Sequence, residues 1–360
     1  MRYCCLIVIA AFFWIATPSV AEVSPGDAKP IKLGYLLDLT GKGAFLGRQS
    51  QAGAMLAVRE FSGTDAPVEI FYEDHQTDPR SGVTGAQKLL NINQVEAVLC
   101  DLTPACVAAS PIIARAKKLF LYQAPVTSIL ATNEFAFKNF LDYEDGCRRV
   151  ANWWKHNGIE RVAHLKVNTE FGELCLTGTK QAIPTQQEFH YNTSDDLRSI
   201  MTRLKRDRIQ VAFQTGYEAD YVNRFRLAAE AQVILPAGMP ESLLTEMVRE
   251  TAGNVALEQT VTFGFPPIRD EFIKRLNDAQ LYRGSVSIES AAIAYLHVLL
   301  TREAILSCGR HNAECQTRHL SAAKPDETIG FHGWKNRIAQ YDYQLKVWQG
   351  DKLSRTVDSM

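Results

Sequence analysis

Short β-branched runs alternate with longer stretches of helical apolar spacing, and the alternation begins twice. Ile31 to Leu37, Val68 to Tyr72, Val95 to Cys100 and Leu119 to Tyr122 have the composition of buried strands. Between them lie helical patterns over Gln49 to Phe61, Gly82 to Leu90 and Ala105 to Ala116. This βαβαβα order predicts a parallel sheet with helices on both faces. The pattern restarts with a helix over Gly146 to His156 and a strand over Arg161 to Lys166. It continues through Gly172 to Ala182 (helix), Gln187 to His190 (strand), Asp196 to Arg206 (helix) and Val211 to Thr215 (strand). Ala219 to Ala231 (helix), Val233 to Pro236 (strand) and Ser242 to Thr251 (helix) complete the second set. The expected fold class is α/β, with two Rossmann-like lobes of similar size.

The join falls near Leu141 to Gly146, in the polar run DYEDG. No low-complexity linker separates the halves, so several close chain crossings are expected in place of a flexible tether. Beyond Thr262 a GFPP turn leads to helices near Arg269 to Asn277 and Ser285 to Leu306. Ile338 to Val347 alternates like an antiparallel strand or hairpin.

A length of 360 residues suits two lobes. A net charge of -1 gives no basic footprint for nucleic acid. The N-terminus has the layout of a secretory signal peptide over 1–21: Arg2, an apolar run from Leu6 to Ala16, and the small-residue pattern Ser19-Val20-Ala21. The apolar run is shorter than a membrane span. Ala291 to Leu300, the nearest later candidate, is too short and contains His297. A periplasmic location is expected. Six cysteines follow the leader: Cys100, Cys106, Cys147, Cys175, Cys308 and Cys315. In an exported chain an even count permits disulfides. Proximity favours Cys308 with Cys315 and Cys100 with Cys106, while all 15 pairings stay open. His311 and His319 near the last two cysteines meet no zinc-finger spacing, so no metal is expected.

No nucleophile elbow, Walker loop, HExxH or CxxC occurs. LTGKGAFLG, with Gly41, Gly43 and Gly47, imitates a phosphate loop, but its last spacing departs from the dinucleotide fingerprint. Asp74, His75 and Asp78 in EDHQTDPR suit a loop after a strand, with Asp78-Pro79 opening a helix. Trp153-Trp154 suits a helix packing face. No cofactor and no catalytic group is expected.

In an open parallel sheet, ligands sit beyond the carboxyl ends of the strands. There the sequence places Thr103, Thr127, Phe171, Tyr217 and Glu241. Hydroxyls and helix-start amides can take a carboxylate, Glu241 an ammonium, and aromatic faces a side chain. Such a set suits binding better than turnover, since no nucleophile is held by a base.

These residues lie in segments with a familiar order. GYLLDLTGKGAFLGRQSQAGAMLAVREF, YEDHQTDPRSGVTGAQKLL and VEAVLCDLTPACVAASPIIARAKKLFLYQAPVTS resemble the opening of the type 1 periplasmic binding proteins that serve leucine, isoleucine and valine uptake. TEFGELCLTGTK is similar to that family's helix start in the second lobe, and TGYEADY and GMPESLLTEMVRETAG to its two later binding loops. The resemblance covers roughly 30 to 355. It implies two lobes joined by three crossings and closing like a hinge, with an N-lobe of 30–142 plus 266–337 and a C-lobe of 143–265 plus 338–355. It also implies that Thr103, Pro125 and Thr127 meet a carboxylate and Glu241 an ammonium, with Tyr217 nearby. Phe171 stands where leucine-binding members often have tyrosine, and Leu46 where they have an aromatic wall. Thr77 occupies one position of the family's short disulfide. The implied function is a monomeric solute receptor handing a small polar solute, an amino acid of the branched-chain type, to an inner-membrane ABC permease. A ligand sensor on the same scaffold, or a receptor for an amide, urea, aromatic acid or short-chain acid, is the alternative.

Overall fold

The computed structural model describes residues 29–355 apart from 185, 194, 285, 286 and 343. The expected signal peptide over 1–21 lies outside them. The first half runs β1 (Ile31–Leu37), α1 (Ala44–Phe61), β2 (Val68–Asp74), α2 (Pro79–Lys88), β3 (Ala97–Asp101), α3 (Thr103–Arg115), β4 (Leu119–Gln123), α4 (Ser128–Thr132) and β5 (Ala136–Lys138). The second runs α5 (Tyr143–His156), β6 (Val162–Val167), α6 (Glu170–Ala182), β7 (Gln187–Tyr191), α7 (Arg198–Arg206), β8 (Val211–Gln214), α8 (Glu218–Glu230), β9 (Ala237–Pro240), α9 (Glu246–Leu257) and β10 (Val261–Gly264). Then follow α10 (Asp270–Asp278), α11 (Ile288–Cys308), α12 (Ala313–Ser321), β11 (Phe331–Lys335), β12 (Ile338–Tyr341), β13 (Gln344–Gln349) and β14 (Lys352–Arg355).

Two seven-stranded sheets result, β11-β12-β5-β4-β3-β1-β2 and β14-β13-β10-β9-β8-β6-β7. In the first, six strands pair in parallel and β11 closes the edge antiparallel to β12; in the second, five pair in parallel and the hairpin β13–β14 closes one edge, with β13 antiparallel to β10. The chain changes sheet three times: from β5 to α5, from β10 to α10, and from β12 to β13.

The third change falls later than the sequence suggested. Ile338–Tyr341 pairs antiparallel with β11 and touches β5 at Lys138, so it belongs to the first sheet. Only from Gln344 does the tail join the second. Alternating residues mark a strand without naming the sheet it joins.

A second difference lies at Val233–Pro236. This β-branched run leads into the strand, which is Ala237–Pro240. The buried Arg224 guanidinium donates to the Leu235 and Pro236 carbonyls at 2.7 and 3.3 Å. The strand carries a glycine at its second position because a Cβ on Gly238 would lie 2.6 Å from Phe213 and 2.8 Å from Trp154. Trp154 is fully buried against Phe213, with ring centroids 4.6 Å apart.

Helix α11 extends the short apolar stretch at both ends to 21 residues, long and apolar enough by composition to cross a bilayer. It packs instead against α1 and α12 inside the first lobe. Three disulfides form: Cys100–Cys106 and Cys308–Cys315, the two favoured by proximity, and Cys147–Cys175, which ties α5 to α6. The last spans 28 residues of chain, a separation at which spacing alone gives no hint.

Helices α1 and α11 meet backbone to backbone. A Cβ built on Gly53 would stand 1.8 Å from the Ala291 carbonyl oxygen. A methyl group there must push the two helices apart, so Gly53→Ala is expected to destabilise the protein by about 2–3 kcal/mol. A lowered thermal midpoint checks this; an unchanged one would mean that the helices are not in contact at Gly53.

Candidate functional site

Parallel strands deliver their following loops to one edge, and here the two edges face each other. Around a cavity of about 60 Å³, the first sheet supplies Asp101 at the end of β3 with Leu102 and Thr103 after it, and Gln123 at the end of β4 with Pro125 beyond. The second supplies Phe171 at the start of α6, Gly216 and Tyr217 after β8, and Ser242 and Leu243 after β9. Leu46 of α1, Phe140 and Tyr143 at the first crossing, and Glu289 and Ser290 of α11 complete the wall. The lobes touch here: Phe45 packs against the second lobe's apolar cluster, Leu174 against one in the first, and Ser287 Oγ donates to the Ser242 carbonyl at 2.8 Å.

Five of the seven expected site residues thus share one cavity: Leu46, Thr103, Pro125, Phe171 and Tyr217. Phe171 and Tyr217 meet edge to face, with centroids 5.9 Å apart. The Thr103 hydroxyl is buried and has no hydrogen-bond partner among the described residues. Thr127 is not in this set; it is exposed and precedes α4. Glu241 lies in an adjoining cavity of about 360 Å³, with Lys346, Arg249 and Gly264, which shares Phe140, Tyr143, Ser242 and Glu289 with the first. Its Oε1 accepts from the Lys346 ammonium at 2.5 Å. The expected ammonium acceptor therefore already holds a cation of the chain itself.

The sequence reading passed over three polar groups of the smaller cavity. Asp101 is 1% exposed; its Oδ1 accepts from the Tyr35 hydroxyl at 2.9 Å, and its Oδ2 has no hydrogen-bond partner. Burial pushes the carboxyl up to about 7 from an ordinary 3.8. The Ser50 hydroxyl steadies the ionised form without meeting hydrogen-bond geometry. Gln123 donates its Nε2 to Ser290 Oγ at 2.8 Å, which leaves its Oε1 without a partner. Glu289 is pushed up to about 7, first by desolvation and further by the negative charge of Glu241. The position of Asp101, last in β3, was a usable signal; a strand-end carboxyl followed by a helix start belongs to the same edge as Thr103. No lysine or arginine lines this smaller cavity among the described residues.

The other motifs are absorbed by structure. Asp38 gathers the glycine loop, accepting from Gly41 N at 2.5 Å, from Gly43 N at 2.9 Å and from the Thr77 hydroxyl. Those amides are engaged and do not form a phosphate cradle. Asp74 accepts from Leu39 N and the Thr40 hydroxyl, and Asp78 caps α2 through Ser81 N. His75 Nδ1 accepts from Thr77 N at 3.1 Å, which assigns the proton to Nε2, 3.0 Å from the Asp101 carbonyl oxygen. No metal-holding cluster occurs among the described residues.

A family model described as "Periplasmic binding protein" matches residues 30–348. No curated protein matches by sequence. Among solved structures, the leucine-binding protein LivK of Thermotoga maritima is 14% identical with a TM-score of 0.79, covering 91% of this chain and 98% of its own. LivJ of Streptococcus pneumoniae, solved with isoleucine, is 15% identical with a TM-score of 0.79 and coverage of 91% and 100%. An ABC transporter solute-binding protein of Rhodopseudomonas palustris, solved with 3,4-dihydroxybenzoic acid, is 18% identical with a TM-score of 0.77 and coverage of 88% and 93%.

The raised Asp101 carboxyl has a consequence for stability. Burial costs little while the group is protonated, below its ordinary range near 4, and the penalty grows as pH rises to about 7, where it is complete. Asp101→Asn keeps an acceptor for Tyr35 and removes the charge. It is expected to raise stability at pH 8 by about 3–4 kcal/mol and by clearly less at pH 5. Calorimetry at the two pH values checks this; a gain that does not grow with pH would show that the carboxyl is not desolvated.

Proposed function

This chain belongs to the periplasmic binding protein family, and from that premise we propose that it is the solute receptor of an ABC importer, with an amino acid of apolar side chain as its solute. The observation that carries the reading is the cavity between the lobes. Its wall of Leu46, Pro125, Phe171, Tyr217 and Leu243 suits an apolar side chain. The Thr103 hydroxyl at the start of α3 can donate to a carboxylate, assisted by the helix N-terminus. Pro104, and a lining without lysine or arginine among the described residues, leave that anion site modest, so the carboxyl groups of the same cavity matter more for recognition. A cavity of about 60 Å³ holds only about four waters. A solute therefore enters by hinge opening about the three crossings and draws on the adjoining space. A periplasmic location, a monomeric state and an inner-membrane permease as partner go with this reading.

A second reading has its own support. Lys346 neutralises Glu241, and the aromatic pair Phe171 and Tyr217 would suit a benzoate-type acid, the class of ligand with which the Rhodopseudomonas protein was solved. Against it stands the acidic lining of the smaller cavity by Asp101 and Glu289, which disfavours a bare carboxylate without a donor at its far end.

Thermal-shift titration of the refolded, ligand-stripped protein separates the two. A solute at 100 times its Kd stabilises the native state by about 2.7 kcal/mol, a shift of about 4 °C for a chain of this size. A shift with leucine, isoleucine or another apolar amino acid is expected. A shift with benzoate or 4-hydroxybenzoate and none with any amino acid would replace the first reading by the second.

A further inference from the structure

The smaller cavity holds an asymmetry that the sequence pattern does not suggest. Its unpartnered buried groups are mostly acceptors: Asp101 Oδ2 and Gln123 Oε1, beside the Thr103 hydroxyl, which can act either way. Buried acceptors without donors are costly, and each favours a ligand that brings an N–H. Glu241 is satisfied by Lys346 and lies in the adjoining space, with Gly264 close against its carboxylate.

We propose that Asp101, and not Glu241, receives the nitrogen of the bound solute and sets the demand for an amine. The inference rests on the amino acid reading above and deepens it. Lys346 acts as an internal cation that closes the Glu241 position, which moves the recognition of the solute's ammonium across the cleft to the end of β3. Gln123, held by Ser290, supplies a second acceptor within the same wall. Tyr35 orients the carboxyl through Oδ1, while Oδ2 is buried without a hydrogen bond. A solute without an amine leaves both acceptors bare, and a purely anionic one meets the Asp101 charge.

An ammonium contact of this kind depends on ionised Asp101, so affinity should fall as pH is lowered from 8 to 5.5. The titratable groups around Asp101 are Tyr35 and Asp38 on β1 and its loop and His75 after β2, with Glu289 in the wall of the same cavity. The Tyr35 hydrogen bond favours the ionised form, so Tyr35→Phe, which keeps the carboxyl, should move the fall in affinity to higher pH.

The test is calorimetric titration of the wild type, Asp101→Asn, Glu241→Gln and Tyr35→Phe with the proteinogenic amino acids, with isocaproate (leucine lacking its amine) and with 4-hydroxybenzoate. The expected result is binding of an apolar amino acid by the wild type, weakened about thirtyfold or more by Asp101→Asn and less by Glu241→Gln. If an amino acid binds and Glu241→Gln weakens it more than Asp101→Asn, or Asp101→Asn leaves affinity within threefold, the inference falls and the amino acid reading stands. An affinity that does not change with pH in the wild type also overturns it. If no amino acid binds, whether or not isocaproate or 4-hydroxybenzoate does, both fall together.

Discussion

In a parallel sheet every strand ends on the same edge, so every loop that follows a strand is delivered to one side of the lobe. This molecule sets two such edges against each other, and the rest of the arrangement follows from that. Side chains far apart in sequence, from Leu46 to Ser290, reach one small cavity because each follows a strand or opens a helix at that edge. Three passages of the chain between sheets keep the edges opposed while leaving few covalent restraints on their separation. A hinge is the natural motion of such an object, since bending at three short crossings disturbs neither core.

Each lobe must be stiff for the edges to stay in register, and the helices supply that stiffness by close approach. Gly53 lets α1 settle on the Ala291 carbonyl, and Gly178 lets α6 settle on the Glu144 carbonyl, where a Cβ would lie 2.0 Å away. Cys147–Cys175 locks the second of these contacts. In the first lobe, Asp38 binds the glycine loop and Thr77. That network stands beside a cleft wall that must not shift.

Much of this was legible before the structure, because parallel strands buried on both faces announce themselves as apolar runs. β1, β3, β4, β6 and β8 were read near their true places for that reason. β9 was displaced because its strand, Ala237–Pro240, has no β-branched residue and sets Gly238 under Phe213 and Trp154. The preceding run, richer in β-branched residues, only leads into it. β5 and β10, three and four residues long, fall below the length at which periodicity speaks. The side of a hairpin is likewise invisible, hence the misplaced lobe boundary at Ile338. For the cleft, strand-end logic placed Thr103, Tyr217 and Phe171 at the correct edge. It could not show that Glu241 turns to Lys346, a residue 105 positions later, because an ion pair between distant elements leaves no local trace.

That ion pair is the point from which the chemistry of the cleft has to be argued. Two carboxyls, Glu241 and Glu289, stand near one lysine at the junction of the two cavities, and Lys346 neutralises the nearer. The residual negative charge is then concentrated on Glu289 and on Asp101, both in the wall of the smaller cavity. A carboxyl as deeply buried as Asp101, with Oδ2 making no hydrogen bond and no lysine or arginine lining its cavity among the described residues, is a poor choice for stability. Such a group is tolerated where a binding partner supplies the missing donor. The same desolvation that weakens the empty protein strengthens the contact once an ammonium arrives, because the charges then meet in a medium of low polarity. Local instability and selectivity are in this way two consequences of one buried side chain at the end of a parallel strand.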